Sequence, residues 1–264
     1  MANKNKKKLV QKPYKRVALA DQLLLKRSLS VAGYILTTYL LYLIVGTILV
    51  FDGAFGRILT NGLLILLSLG LVYANGLNAG VADVTYSEII YQRKESGRQV
   101  SPADAARCFH PLKGFLNGMV GSVPFFIICL VLALTAQLQT FSLGPLPDWL
   151  EGFERRPEIG GALTYYHQPI QMELTDYVRI IVRVMMMPYM NIVGSDNALA
   201  LLWLERFSPL LCLLPAVAYA VGYQGGPKAR SQVHTDIAAS QRKRKRQEEK
   251  RRKARAAQEP ERLI

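Results

Sequence analysis

Gly33 to Phe51 (GYILTTYLLYLIVGTILVF) runs for 19 residues without one charged side chain. A helix rises about 1.5 Å per residue, so this stretch matches the roughly 30 Å hydrocarbon core of a bilayer. Three more such stretches follow. Ile58 to Ala82 is uncharged, and its most apolar part is Leu63 to Tyr73. Phe115 to Leu138 is the third and contains Pro124. Ser208 to Tyr223 is the shortest and contains Pro215. The sequence Gln224-Gly225-Gly226-Pro227 after it reads as a helix stop. Buried helices of a soluble protein would need a polar remainder large enough to wrap them, and 264 residues do not supply one. The expected fold is therefore all-α: a polytopic transmembrane protein of about four spans, with an interfacial amphipathic helix and a basic C-terminal tail. The expected spans are 33–51, 58–82, 115–138 and 208–223.

Charge sets the expected orientation. Residues 1–32 carry nine basic side chains and one acid, and residues 225–264 carry thirteen against five. Lysine and arginine are enriched on the cytoplasmic side of short membrane-flanking segments. Both basic ends are thus expected in the cytoplasm of a cell bearing this protein in its plasma membrane. All fourteen lysines then share that side, with 77–114, including the helical hairpin 83–110, inside and 139–206 outside. An odd number of spans would put one basic end outside. The long charged leader and the absence of a small-x-small cleavage site make the first span a retained anchor rather than a cleaved signal.

The organisation divides into a basic N-terminal segment (1–32), a membrane domain (33–224) and a basic tail (225–264) read as disordered or as a solvated helix. Within 83–110 the second span is expected to continue as helix to about Lys94, ending at Gly97. Ser101-Pro102-Ala103-Asp104 then reads as a helix start: a capping serine, a first-turn proline and an acid at the positive helix end. In the outer segment, 141–172 is rich in proline and aromatics, with Trp149 and Phe153 suited to a lipid surface. Glu173 to Met187 is expected to be helical, with a second short helix from about Asp196, capped by Ser195 or Asp196.

Small residues cluster at Gly76, Gly80, Gly114, Gly118 and Gly121. Glycines four apart let backbones approach, so the second and third spans are expected to pack at these ends. Flexible helix ends are the competing reading.

Few residues invite chemistry. Arg179 and Arg183 lie one turn apart on a helix that would cost about 2.5–3.5 kcal/mol per arginine to bury at mid-bilayer. An interfacial position is expected, with the arginines contacting an anion or headgroups, or pairing with Asp176 or Glu173. The tail residues Arg242, Lys243, Arg244, Lys245, Arg246, Lys250, Arg251, Arg252 and Lys253 are expected to contact anionic lipids of the cytoplasmic leaflet or a partner. RNA or ribosome contact is the lesser alternative, because no aromatic interleaves the run to stack on bases. His167 sits in an aromatic loop, and His234 reads as unpartnered. Met185, Met186 and Met187 read as lipid-facing filler. Asn61, Asn75, Thr37, Thr38 and Thr47 are read as bonding between helices or lining a narrow polar path.

The three cysteines, Cys108, Cys129 and Cys212, form neither a disulfide framework nor a zinc spacing. No cofactor or metal is expected. The first three apolar runs hold no Asp, Glu, Lys or His, which ion-coupled carriers usually need. No P-loop, HExxH helix or GxSxG elbow occurs. The leading expectation is a non-catalytic subunit, scaffold or accessory part of a membrane assembly, with a membrane-protein partner. The alternative is a permease or channel component energised by a separate chain. A lipid-modifying enzyme built on Glu173, Asp176, His167 and Arg179 is the third reading.

Overall fold

The computed structural model describes residues 13–14, 24–48, 51, 53–137, 146, 148–153, 156, 158–159, 163, 174–194 and 197–258, and every regular element among them is helical. In chain order these are α1 (Leu24–Ile48), α2 (Ala54–Glu95), α3 (Pro102–Ala106), α4 (Lys113–Thr135), a 3-10 turn (Asp148–Phe153), α5 (Leu174–Met185), α6 (Met187–Val193), α7 (Ala198–Cys212), α8 (Leu214–Gln224) and α9 (Gly226–Gln258).

Four stretches, Leu24–Ile48, Ala54–Glu95, Lys113–Thr135 and Ala198–Arg255, are long and apolar enough to cross a bilayer. The side chains they leave uncovered are the ones a lipid solvent would accept. Leu36, Leu40 and Ile44 on α1 are exposed, as are Leu59, Leu63, Leu66 and Leu67 on α2 and Ile127, Val131 and Leu134 on α4. A monomer in water rarely shows so much contiguous apolar surface. The chain is a multi-span integral membrane protein. Helix is forced on these segments because hydrocarbon offers no partner for a free backbone amide or carbonyl. Even the hydroxyls of Thr37, Thr38 and Thr47 turn back to carbonyls three or four residues earlier, at 2.8–3.0 Å.

Local sequence sets the ends. Gly97 closes α2 at φ +73°, where only glycine is unstrained. The Arg98 amide then reaches back to the Arg93 carbonyl at 3.0 Å. Ser101 Oγ accepts the Asp104 amide at 3.1 Å at the start of α3, with Pro102 in the first turn. The cap of α7 is Asn197, whose side chain accepts the Ala200 amide at 3.0 Å. Ser195 and Asp196, expected at that cap, lie outside the described residues.

The fourth apolar stretch departs from expectation. Helix begins ten residues before Ser208 and does not stop at Gln224. It breaks only at Leu213, where Pro215 enters the first turn of α8, and at Gly225. The Gly225 amide bonds the Val221 and Gly222 carbonyls at 3.3 and 3.0 Å, while the Gly225 carbonyl accepts the Ala229 amide at 3.0 Å. Pro227 falls in the first turn of α9, where a missing N–H costs nothing. The expected stop is therefore a joint between two helices.

The chain forms two compact units. Unit 1 holds residues 1–31, 70–120 and 215–264; unit 2 holds 32–69 and 121–214. In unit 1 the backbone of α8–α9 lies directly on α2. A Cβ on Gly222 would strike the Tyr73 carbonyl, and one on Gly226 would strike the Gly80 backbone. Reciprocally, a Cβ on Gly76 or Gly80 would strike the carbonyl of Tyr219 or Tyr223. Two pairs of glycines four apart thus face each other. On α4, Gly114 makes room for the Tyr223 side chain and Gly118 for the Ala216 carbonyl. The neighbour of Gly76, Gly80, Gly114 and Gly118 is α8, rather than each other's helix as the sequence suggested. Gly121 is buried in unit 2.

Unit 2 is organised by aromatic and polar contacts. Tyr39 and Tyr42 on α1 are buried; Tyr42 shares a 2.7 Å hydrogen bond with Ser68, and Tyr39 packs edge-on against Phe125. Met185 and Met186 are buried, and Met187 fills the space left by Gly46. The methionine run is thus packing material inside the unit, not lipid-facing filler. Its flexible thioethers suit the irregular turn between α5 and α6.

Candidate functional site

Two buried carboxylates on the last four turns of α2, Asp83 and Glu88, gather charged and polar groups of unit 1. Asp83 accepts both Arg27 guanidinium nitrogens, at 2.7 and 3.0 Å, and the Tyr223 hydroxyl at 2.6 Å. One carboxylate therefore ties α1, α2 and α8 together. Ser87, one turn on, donates to the Asp83 carbonyl and accepts the Phe109 amide at 2.7 Å. Phe109 stacks on the Tyr223 ring at 5.3 Å, which fixes the turn before α4. Lys113, almost wholly buried, donates to the Ala106 carbonyl at 2.6 Å.

On the next face of α2, Glu88 is a second node. Its Oε2 accepts Arg230 Nε and Nη2 at 3.2 and 3.1 Å, and its Oε1 lies 2.8 Å from His234 Nε2. His234, which the sequence left without a partner, is one of the contacts holding α9 against α2. The two residues are one turn apart on α9, so both reach the same carboxylate. Beside them is a cleft of only about 10 Å³, lined by Tyr14, Val84, Glu88, Pro227, Arg230, Ser231 and His234. It has room for about one water molecule.

At the mouth of the loop after α2, the Tyr86 hydroxyl donates to Asp104 at 2.5 Å. That bond, together with the one to Ser101, holds the Asp104 carboxyl below its usual range.

In unit 2, Arg179 and Arg183 share one partner. Glu205 on α7, 3% exposed, accepts Arg179 Nε at 3.1 Å on one oxygen and Arg183 at 2.8–2.9 Å on the other. Arg179 also donates to the Gln137 carbonyl at 2.8 Å and lies 3.7 Å from Asp176. The two arginines are brought together as the sequence spacing implied. The anion they meet, however, is the protein's own Glu205, which sequence reading missed. Glu173 and His167 lie outside the described residues. Nearby, Asn191 Nδ2 donates to the Gly46 carbonyl at 2.8 Å and to Asn61 at 3.3 Å. Asn61 therefore bonds between helices.

Arg242, Lys243, Arg244, Lys245, Arg246, Lys250, Arg251, Arg252 and Lys253 all lie on the helical α9, and every one is exposed. The three cysteines are buried thiols outside any disulfide among the described residues. Among the described residues, no group of three or more His, Cys, Asp or Glu is arranged to hold a metal ion.

Comparison of the chain with known protein families, curated proteins and solved structures finds no match. The reading of function therefore rests on geometry alone.

Asp83, Glu88 and Glu205 carried a weak sequence signal. Asp83 is the first acid after the second uncharged run, and Glu205 is the last acid before the fourth. A carboxylate at the edge of a span must find a partner or stay at the surface. The sequence could not say which cation that partner would be.

Proposed function

We propose that the protein is a non-catalytic subunit of a membrane assembly, a scaffold whose two basic ends lie in the cytoplasm. The observation that carries this reading is the way the buried carboxylates are used. Asp83 holds Arg27 of α1 and the Tyr223 hydroxyl of α8, Glu88 holds Arg230 and His234 of α9, and Glu205 holds Arg179 and Arg183 of α5, so each carboxylate ties its own helix to at least one other within one unit. Groups held in this way fix helices relative to one another; they are not poised to take up and release a solute. The facing glycine pairs add close backbone contact in the same unit. Such packing suits a rigid platform, and the uncovered apolar surface is available to lipid and to partner helices.

The orientation follows from the lysine and arginine distribution. On it, the α2–α3–α4 connection and α9 face the cytoplasm. The same orientation puts α5 on the outer side. Its Leu174, Tyr177, Ile180 and Ile181 are exposed while Arg179 is turned inward, which supports a helix lying in the interface.

The test is gentle detergent extraction of the tagged full chain, followed by mass and composition of the purified particle. A stoichiometric second membrane protein is the expected result. A clean single-chain particle that moves solute in sealed liposomes would overturn the reading and favour the permease alternative.

A further inference from the structure

The contacts between α2 and α9 also fix the direction of the basic tail. Gly226 lies on Gly80, and eight residues further along each helix His234 meets Glu88. The two helices therefore run parallel and in step for about 12 Å. Seven residues on from Glu88, α2 ends at Glu95; seven on from His234, α9 reaches Gln241. The basic run begins at the next residue. Arg242 to Arg255 thus continues about 20 Å past the end of its supporting helix. Residues 239–255 are exposed on all sides.

This geometry decides between anionic partners. From Gln224, the end of the apolar stretch, to Arg242 the helix climbs about 27 Å. The headgroup layer takes up only about 5–7 Å of that. The basic run then stands some two Debye lengths, about 16–20 Å, clear of the leaflet, where little lipid attraction survives. An acidic protein surface fits poorly too. Protein interfaces draw most of their affinity from apolar, aromatic and arginine anchors seated in packed pockets. Between Arg242 and Arg255 the only apolar side chain is Ala254. At about 100° per residue, the ten basic residues fall on every side of the helix, so no face is left for packing. Phosphate contact needs no apolar anchor. A duplex offers about one charge per 1.7 Å of axis, dense enough to match this run. The lack of aromatic residues disfavours unstacked single strands.

We infer that α9 is an upright cationic rod that binds the phosphate backbone of double-helical nucleic acid, without sequence preference, at a distance from the membrane. In the cell this rests on the cytoplasmic placement of the tail proposed above; the binding itself does not.

The test uses the full chain in nanodiscs of neutral phosphatidylcholine at about 150 mM salt. Fluorescein-labelled RNA and DNA duplexes of one sequence, and a shuffled pair, serve as probes. Binding in the micromolar range, equal for native and shuffled sequence, is expected. Preference for the RNA or the DNA form would identify the source of the phosphate. With about five phosphates engaged, a fourfold rise in salt should weaken binding about 500-fold. Replacing Arg242, Lys243, Arg244, Lys245 and Arg246 with glutamine should weaken it at least tenfold. A second measurement reads orientation: a dye at Gln247→Cys in discs containing anionic lipid with headgroup quenchers. No quenching is expected for the native helix. Quenching should appear in Ala239→Pro, which keeps every charge but breaks the rod. Absence of duplex binding, binding unchanged in the five-glutamine variant, or strong quenching of the unbroken helix would each overturn the inference. So would an acidic protein displacing the duplex. None of these results bears on whether the membrane region has a stoichiometric partner.

Discussion

Glu205 carries two positive charges on one buried carboxylate, and that makes it the most consequential single residue in unit 2. Replacing it with leucine leaves Arg179, 9% exposed at its side chain, with no carboxylate on α7 to meet. Breaking a buried pair from one side typically costs about 3–5 kcal/mol, because the remaining charge keeps its desolvation penalty. Glu205→Leu should therefore lose about 3 kcal/mol, measured as a drop in unfolding midpoint in mild detergent. The double variant Arg179→Met with Glu205→Leu should recover most of that loss, since an apolar pair of similar volume removes both penalties. If Glu205→Leu were neutral and instead gained sulfate or phosphate affinity, the arginines would be an anion site and the clasp incidental. The sequence placed Arg179 and Arg183 on one helix face because that follows from spacing. It could not supply Glu205, which comes from an element 22–26 residues away. The same holds for His234 and Glu88, which are 146 residues apart.

Between elements, the facing glycines make a contrast that stability measurements can resolve. Gly80→Ala and Gly222→Ala would each drive a Cβ into backbone of the opposing helix. Overpacking of that kind costs about 1–3 kcal/mol. Gly62 and Gly70 sit in helix with nothing within 4 Å of the added carbon, so alanine there should be neutral or stabilising by about 0.5–1 kcal/mol. Equal effects at all four positions would remove the close crossing from the account. Helix ends were legible where chemistry is local: Gly97 needs positive φ, and Ser101-Pro102 is a cap. The Gly225-Gly226-Pro227 joint was misread because the same residues serve a helix stop and a close crossing, and only the backbone of Gly80 opposite decides between them. The short α3 offers a pH test. Asp104 is held below its ordinary value, so its bonds to Tyr86 and Ser101 contribute fully above about pH 4 and are lost as pH falls through the lowered value. Hydrogen-exchange protection of 101–109, corrected for intrinsic rate, should be level from about pH 7 to 5 and fall below about pH 4. Tyr86→Phe should start lower and show the fall earlier. A profile identical to the native one would mean the Tyr86 bond adds nothing.

For the whole molecule, the decisive physical fact is the solvent. Four apolar stretches were readable from sequence because hydrocarbon imposes a length and forbids charge, and no tertiary detail can override either demand. What surrounds them decides which residues tolerate a charge. Leu67 is 61% exposed near the middle of the second uncharged run. In water an arginine there would be harmless, as surface substitutions usually are. In lipid it should cost about 2.5–3.5 kcal/mol on the insertion scale, enough to lower membrane yield several-fold. A second arginine placed at the exposed Gln232, on the helix that leaves the bilayer, should change nothing. Equal membrane yields for Leu67→Arg and Gln232→Arg would mean that Leu67 does not face hydrocarbon. The number of crossings is open to a test of the same kind. With four spans the two termini share one compartment, so a protease-sensitive tag at either end should be cut only when the cytoplasmic face is opened. Arginine at Leu67 should disturb that result, because a failed second span leaves three crossings and sends one strongly basic end through the membrane, against the charge rule. Loss of the protein, rather than a stable inverted form, is therefore the expected fate of that variant, and a stable chain with its ends on opposite faces would overturn the four-span arrangement.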